Sequence, residues 1–216
     1  MSFNRPVTQL ISQRFSCRSY LDRPIEEQER QLLASFASSS RVGPFGTQAR
    51  FELVTATEED TKALRGLGTY GLIRGATGFV IGAMEDGEKS LEDFGYLMER
   101  IVLYATDLGL GTCWLGGTFS KSRFAKRISA SGRESVPAVV SIGYIREKRG
   151  RLDSMIRKGA GSDARLPWDR MFFDAEFGAP ISREIAVAYV EPLEMVRLGP
   201  SASNRQPWRI IKNCTT

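Results

Sequence analysis

The chain has 216 residues, 42% of them hydrophobic and 25% charged, with 30 basic against 25 acidic side chains for a net charge of +5. That is enough chain for one large or two small soluble domains, and no apolar run long enough for a membrane-spanning helix occurs. Histidine is absent altogether, which excludes Ser-His-Asp and Cys-His catalysis and the common His-based metal sites. The opening residues show no apolar signal core, so a cytoplasmic protein is expected. Cys17, Cys113 and Cys214 are odd in number, far apart and free of any C-x-x-C spacing, against a disulfide framework or a thiolate zinc site.

Pro6 to Arg14 predicts a short helix, capped near Asn4, with Val7, Leu10, Ile11 and Arg14 on one stripe. A guanidinium closing an apolar stripe needs an anion, either a ligand or an ordinary Asp or Glu, unless it snorkels at the helix end. Arg14, Ser16 and Arg18 alternate in the following segment, so an extended backbone puts all three on one side as a phosphate clamp. A second helix follows Pro24, with Ile25, Leu32, Leu33 and Phe36 facing inward. "RFELVTA" and "TGFVIGAM" read as strands, and "EEDTKALRGL" as helical. Leu91 to Leu108 is the strongest helix, with Phe94, Leu97, Ile101, Tyr104, Ala105 and Leu108 on one face. "GTCWLGG" predicts a short strand and turn, and "SVPAVVSIGYI" a buried strand. The spacing in "GLGTCWLGG" is wrong for a dinucleotide fingerprint, because its glycines follow a helix and enter a strand. They either admit a flat ligand close to the backbone or cap the helix and form a turn.

Residues 153–166 read as a linker between a core over 1–152 and a C-terminal half-domain or arm over 167–216. "PWDRMFFDAEFGAP" must dock on something apolar. A last helix, Ser182 to Leu198, should kink or restart at Pro192. "GPSASNRQPW" then offers Ser201, Ser203, Asn204 and Gln206, whose carboxamides can read a ring of donors and acceptors; the alternative is a helix stop with Trp208 as a core plug. Two stretches, beginning "RPIEEQERQLL" and "APISREIAVAY", repeat an order of Pro-Ile, helix, Gly-Pro loop and strand. Between Lys121 and Lys158 stand eleven Lys/Arg and three acids, which favours anionic ligands or is a solvated basic face.

"RFSCRSYLDRPI", "DLGLGTCWLGG", "AVVSIGY" and "GPSASNRQPWRII" together resemble the nitroreductase family of flavoproteins. The order departs from ordinary members, in which the Ser-Asn-Gln-Pro-Trp loop lies in the first quarter; here that slot holds "GPFGTQARF". This is similar to a variant subfamily of nitroreductases with two related halves in one chain, in which the second half supplies what a partner subunit supplies elsewhere. The resemblance implies an α+β fold, a central mostly antiparallel sheet flanked by helices. It implies FMN as cofactor, NAD(P)H as reductant, and nitroaromatics, quinones or similar flat acceptors as substrates, in a ping-pong hydride mechanism carried by the cofactor. Arg14, Ser16 and Arg18 would grip the phosphate and ribityl chain. Pro200, Ser201, Ser203, Asn204 and Gln206 would touch the ring or ribityl. Leu115, Gly116 and Gly117 would lie at the flavin edge, and Arg149 and Arg151 would finish the phosphate site. The expected assembly is a monomer mimicking a dimer, or a homodimer, without nucleic acid or membrane partners. The tail "KNCTT" departs from the expected continuation, so an incomplete second half is expected. The alternatives are a flavin or nucleotide binder without turnover and a basic nucleic-acid-binding module.

Overall fold

The computed structural model describes the chain except Met1, residues 58, 59, 61, 62 and 66, residues 147–150, Asp163 and residues 214–216. The chain divides into two compact units, Met1–Gly150 and Arg151–Thr216.

In the first unit, helix α1 (Val7–Gln13) and helix α2 (Glu27–Ser39) precede strands β1 (Ala49–Thr55) and β2 (Gly78–Glu85). Helix α3 (Ser90–Asp107), strand β3 (Leu110–Leu115), helix α4 (Lys121–Arg127) and strands β4 (Glu134–Ser135) and β5 (Val139–Tyr144) follow. Among the described residues the sheet order is β1-β2-β5-β3, with β4 also paired to β2, and all these pairings are antiparallel. The α+β class is as the sequence predicts.

One sheet face packs on α2 and α3 through Leu33, Phe36, Leu97, Ile101 and Val140, and a second cluster gathers Phe79, Ile81, Leu115, Phe124 and Val139. Phe36 and Tyr104 stack with centroids 4.1 Å apart and planes 6° apart. The α3 stripe buries Phe94, Leu97, Ile101, Tyr104 and Ala105 as its periodicity predicts. Gly109 ends the helix with φ +79, a left-handed turn that glycine adopts at little cost. It is therefore a cap.

Three local expectations are corrected. Pro6, not Asn4, precedes the first turn of α1, and the Asn4 N–H instead donates to Asp107 Oδ2 at 2.6 Å. Ala63–Arg65, expected to be helical, forms turns, while residues 58, 59, 61, 62 and 66 of that region lie outside the described residues. Helix α4 was not foreseen, because it buries only Phe124 in a stretch of basic and hydroxyl residues.

The second unit holds helix α5 (Arg151–Gly159), strand β6 (Phe172–Asp174), helices α6 (Arg183–Ala186) and α7 (Val190–Leu198), and strand β7 (Ile210–Lys212). Helix α5 occupies the start of the stretch read as a linker. The long last helix is two: Val187 takes φ 45, and the chain restarts as α7 with Pro192 in its first turn, where a missing N–H costs little. Strands β6 and β7 pair in parallel. Met171, Phe172, Ile181, Ala186 and Leu193 form this unit's own core, with Trp168 and Trp208 packed against it. The aromatic tether thus finds its apolar partners here, and Trp168 Nε1 donates to the Ile181 carbonyl at 2.7 Å.

Candidate functional site

Helix α1 ends at Arg14, whose ψ of 133 turns the chain extended. Ser16 then bridges Thr112 in parallel, and the Cys17 N–H donates to the Thr112 carbonyl at 2.8 Å. The segment adds itself to the edge strand β3 and then meets the end of β5, where the Leu21 N–H reaches the Tyr144 carbonyl at 2.9 Å. Cys17 is buried, and Arg14, Phe15, Ser16, Arg18 and Ser19 are each partly buried, so burial does not separate the two sides of the arm. Tyr20 is buried, and its hydroxyl lies 2.8 Å from Ser141 Oγ. Burial pushes the Tyr20 phenol well above its ordinary value, with the neighbouring thiols of Cys113 and Cys17 adding to the rise.

Two glycines exist for this arm. A methyl group on Gly111 would meet Ile145 Cγ1 at 2.8 Å and Cys17 Cβ at 3.0 Å. On Gly143 it would meet the Tyr20 ring at 3.1 Å. The close approach they permit is by the protein's own arm rather than by a flat ligand. Gly116 and Gly117 differ: both are exposed, and an added methyl would meet nothing within 4 Å. Leu115 is a core residue. Gly117 lines an open depression of about 920 Å³ with Tyr70, Phe119, Lys121 and Arg123.

Arg14 lines a smaller cavity of about 180 Å³ together with Arg5, Gln13, Thr106, Gly111 and Thr112. The anion that its burial requires is partly internal: Arg14 Nε lies 3.5 Å from Glu99 Oε1, with the Arg14 side chain 5% exposed. Trp114 Nε1 donates to the other Glu99 oxygen at 2.6 Å. Burial raises the Glu99 carboxyl above its ordinary range, against the Arg14 charge and the Trp114 hydrogen bond, which lower it. Arg14 Nη1 is buried without a hydrogen-bond partner among the described residues, a costly state for a charged donor. Arg5 on the cavity wall is satisfied by Asp107, Gln13 and the Thr106 carbonyl, and so closes the end of α3. Glu99 carries no signal in the sequence, because it stands off the apolar stripe of α3 and reads as a solvated helix residue.

Pro200, Ser201, Ser203, Asn204 and Gln206 belong to the second unit. Asn204 Nδ2 donates to the carbonyls of Gly161 and Ala164 at 2.7 and 3.0 Å. Gln206 is buried, and its Oε1 accepts from the Leu166 N–H at 2.8 Å. Ser201 Oγ accepts from the Gln206 N–H at 2.9 Å. Ser203, Asn204 and Gln206 take φ of 52, 55 and 48. The carboxamides thus tie their own loop to residues 161–166. Pro200 is half-buried and Ser203 exposed. Arg149 lies outside the described residues, and Arg151 opens α5.

Among the described residues no group of His, Cys, Asp or Glu is arranged to hold a metal ion, and no helix is long and apolar enough to cross a membrane.

A solved structure from Thermotoga maritima, described as a "putative nitroreductase", matches 98% of this chain and 74% of its own, with a TM-score of 0.60 and 21% identity. One from Desulfovibrio desulfuricans, described as in complex with FMN, matches 70% of this chain and 95% of its own (TM-score 0.52, 23% identity). One from Desulfitobacterium hafniense, described as having bound FMN, matches 67% and 92% (TM-score 0.51, 20% identity). At these identities the likeness is one of fold. No curated protein matches. The family model described as "Putative TM nitroreductase" matches residues 6–215, and the chain belongs to that family.

Proposed function

We propose that the chain is an FMN-dependent NAD(P)H oxidoreductase that reduces nitroaromatics, quinones or similar flat acceptors in a ping-pong cycle. The observation that carries this is the family match over residues 6–215. The residues present fit the cofactor: a guanidinium nitrogen of Arg14 is buried, unpartnered and beside a cavity, as an oxyanion-binding group would be. Arg14, Ser16 and Arg18 would hold the phosphate and ribityl chain. The exposed Gly116 and Gly117, with no side chain to intrude, would leave the ring edge open beside the depression that Gly117 lines. Bound FMN supplies the hydride chemistry, taking reducing equivalents from NAD(P)H and passing them to the acceptor. The chain's part is to bind, orient and supply cationic and N–H groups near developing negative charge; solvent suffices as the proton source in a protein without histidine.

The test is steady-state NADPH oxidation with a quinone acceptor. Activity that requires added FMN, with parallel double-reciprocal lines, supports the proposal. FMN retained without any NADPH oxidation supports instead a flavin binder without turnover. That second reading draws on one observation, the engagement of the Asn204 and Gln206 carboxamides within their own unit. A protein that binds no FMN even when it is added removes both.

A further inference from the structure

Glu99 is not used by the flavin assignment above, yet it is ion-paired with the group on which that assignment depends. Its Oε2 is anchored by Trp114 Nε1 at 2.6 Å. Its Oε1 lies 3.5 Å from Arg14 Nε, an ion pair too long for a good hydrogen bond. Arg14 therefore meets a carboxylate on its Nε side, while Nη1 is buried without a hydrogen-bond partner among the described residues, in a side chain that lines a cavity.

A buried guanidinium with no counter-charge is strongly destabilising, so before a ligand arrives Glu99 keeps the arm folded. A phosphate monoester that reaches the same guanidinium is then opposed by a like charge at short range. Glu99 meets Arg14 from outside the cavity lining, and among the described residues that lining holds no carboxylate: Gln13, Thr106, Gly111 and Thr112 are neutral, and Arg5 is cationic and already paired with Asp107. We infer that Glu99 is a resident counter-anion: a positioning residue that orients Arg14 through Nε and holds down the affinity of the site for phosphorylated ligands. The inference rests on the flavin assignment, and it specifies how strongly this chain distinguishes FMN from a flavin lacking the phosphate.

The experiment compares the full chain with Glu99→Gln, which keeps an acceptor for Trp114 and removes the charge. FMN and riboflavin are titrated separately by quenching of flavin fluorescence, and melting temperature is followed with inorganic phosphate. The expected result is that E99Q strengthens FMN binding about tenfold while riboflavin binding changes little. The variant without ligand melts lower, and phosphate raises its melting temperature more than that of the wild type. An FMN-to-riboflavin affinity ratio that is the same in both proteins overturns the Glu99 role while leaving the flavin assignment intact. A response to inorganic phosphate without binding of either flavin removes the flavin assignment and with it the inference. Glu99→Met, neutral and similar in length, gives the same comparison if E99Q fails to fold.

Discussion

Gly43 has no room for a side chain: a methyl group there would sit 2.2 Å from Asp93 Cγ. The buried Asp93 carboxylate accepts from the N–H groups of Phe45 and Thr47 at 2.8 and 2.7 Å, so one residue of α3 fixes the loop between α2 and β1. Burial pushes this carboxyl up, but the two amides and the Thr47 side chain together hold it below its ordinary value. Gly43→Ala should therefore cost about 1–3 kcal/mol, a fall of roughly 2–12 °C in Tm by calorimetry. Arg50 is a second such residue. It grips Glu134 through Nε and Nη2 at 2.7 and 2.9 Å and donates to the Ile128 carbonyl at the end of α4. The Arg50 hydrogen bonds, then the Ser131 N–H, lower Glu134 from 4.5 to about 2. A depressed carboxyl contributes stability above its unfolded value and loses it as pH falls through the folded one. The stability gap between wild type and Glu134→Gln should thus be full at pH 7, shrink below about pH 4.5 and vanish near pH 2; urea unfolding across that range measures it. A gap independent of pH would show that Glu134 acts by packing alone.

The elements legible from sequence are those whose burial is periodic, as in α3, or nearly unbroken, as in β2 and β5. Helix α3 and strands β2 and β5 expose almost nothing on their inner faces, and their apolar runs say so directly. Helix α4 hides one buried phenylalanine among lysines and arginines, and α5 sets its few apolar residues among charges, so polarity outweighs the helical signal. The break between α6 and α7 was readable from Pro192, but its position at Val187 was not, because a left-handed valine has no local sequence signature. Packing between α2 and α3 depends on the Phe36–Tyr104 stack. Phe36→Ala should cost about 3–5 kcal/mol, and Phe36→Leu clearly less, read from denaturant midpoints. Equal losses would place the stability in ring stacking rather than in filled volume.

At the scale of the whole molecule, each unit has its own core. The candidate site was legible in part. Arg14, closing an apolar stripe, announces the need for an anion, which Glu99 meets in part; Ser16 and Arg18 beside it rest on the proposed flavin site. Glu99 was hidden because its role depends on Trp114 and Arg14, which are distant in sequence and brought together by β3 and the arm. The carboxamides of Asn204 and Gln206 suit either a ring or ribityl contact or a helix stop and turn; the folded loop uses them on carbonyls and an N–H of the segment from Gly161 to Leu166, which composition cannot distinguish from ligand recognition. Arg14→Met should weaken FMN binding by tenfold or more while leaving riboflavin nearly unchanged, measured by flavin fluorescence. The central claim is tested most directly by anaerobic titration of the FMN-loaded, desalted protein with NADPH, followed in the visible flavin band. The account predicts a yellow protein bleached by about one equivalent of NADPH per flavin; a protein that leaves the desalting column colourless, or stays yellow in excess NADPH, contradicts it.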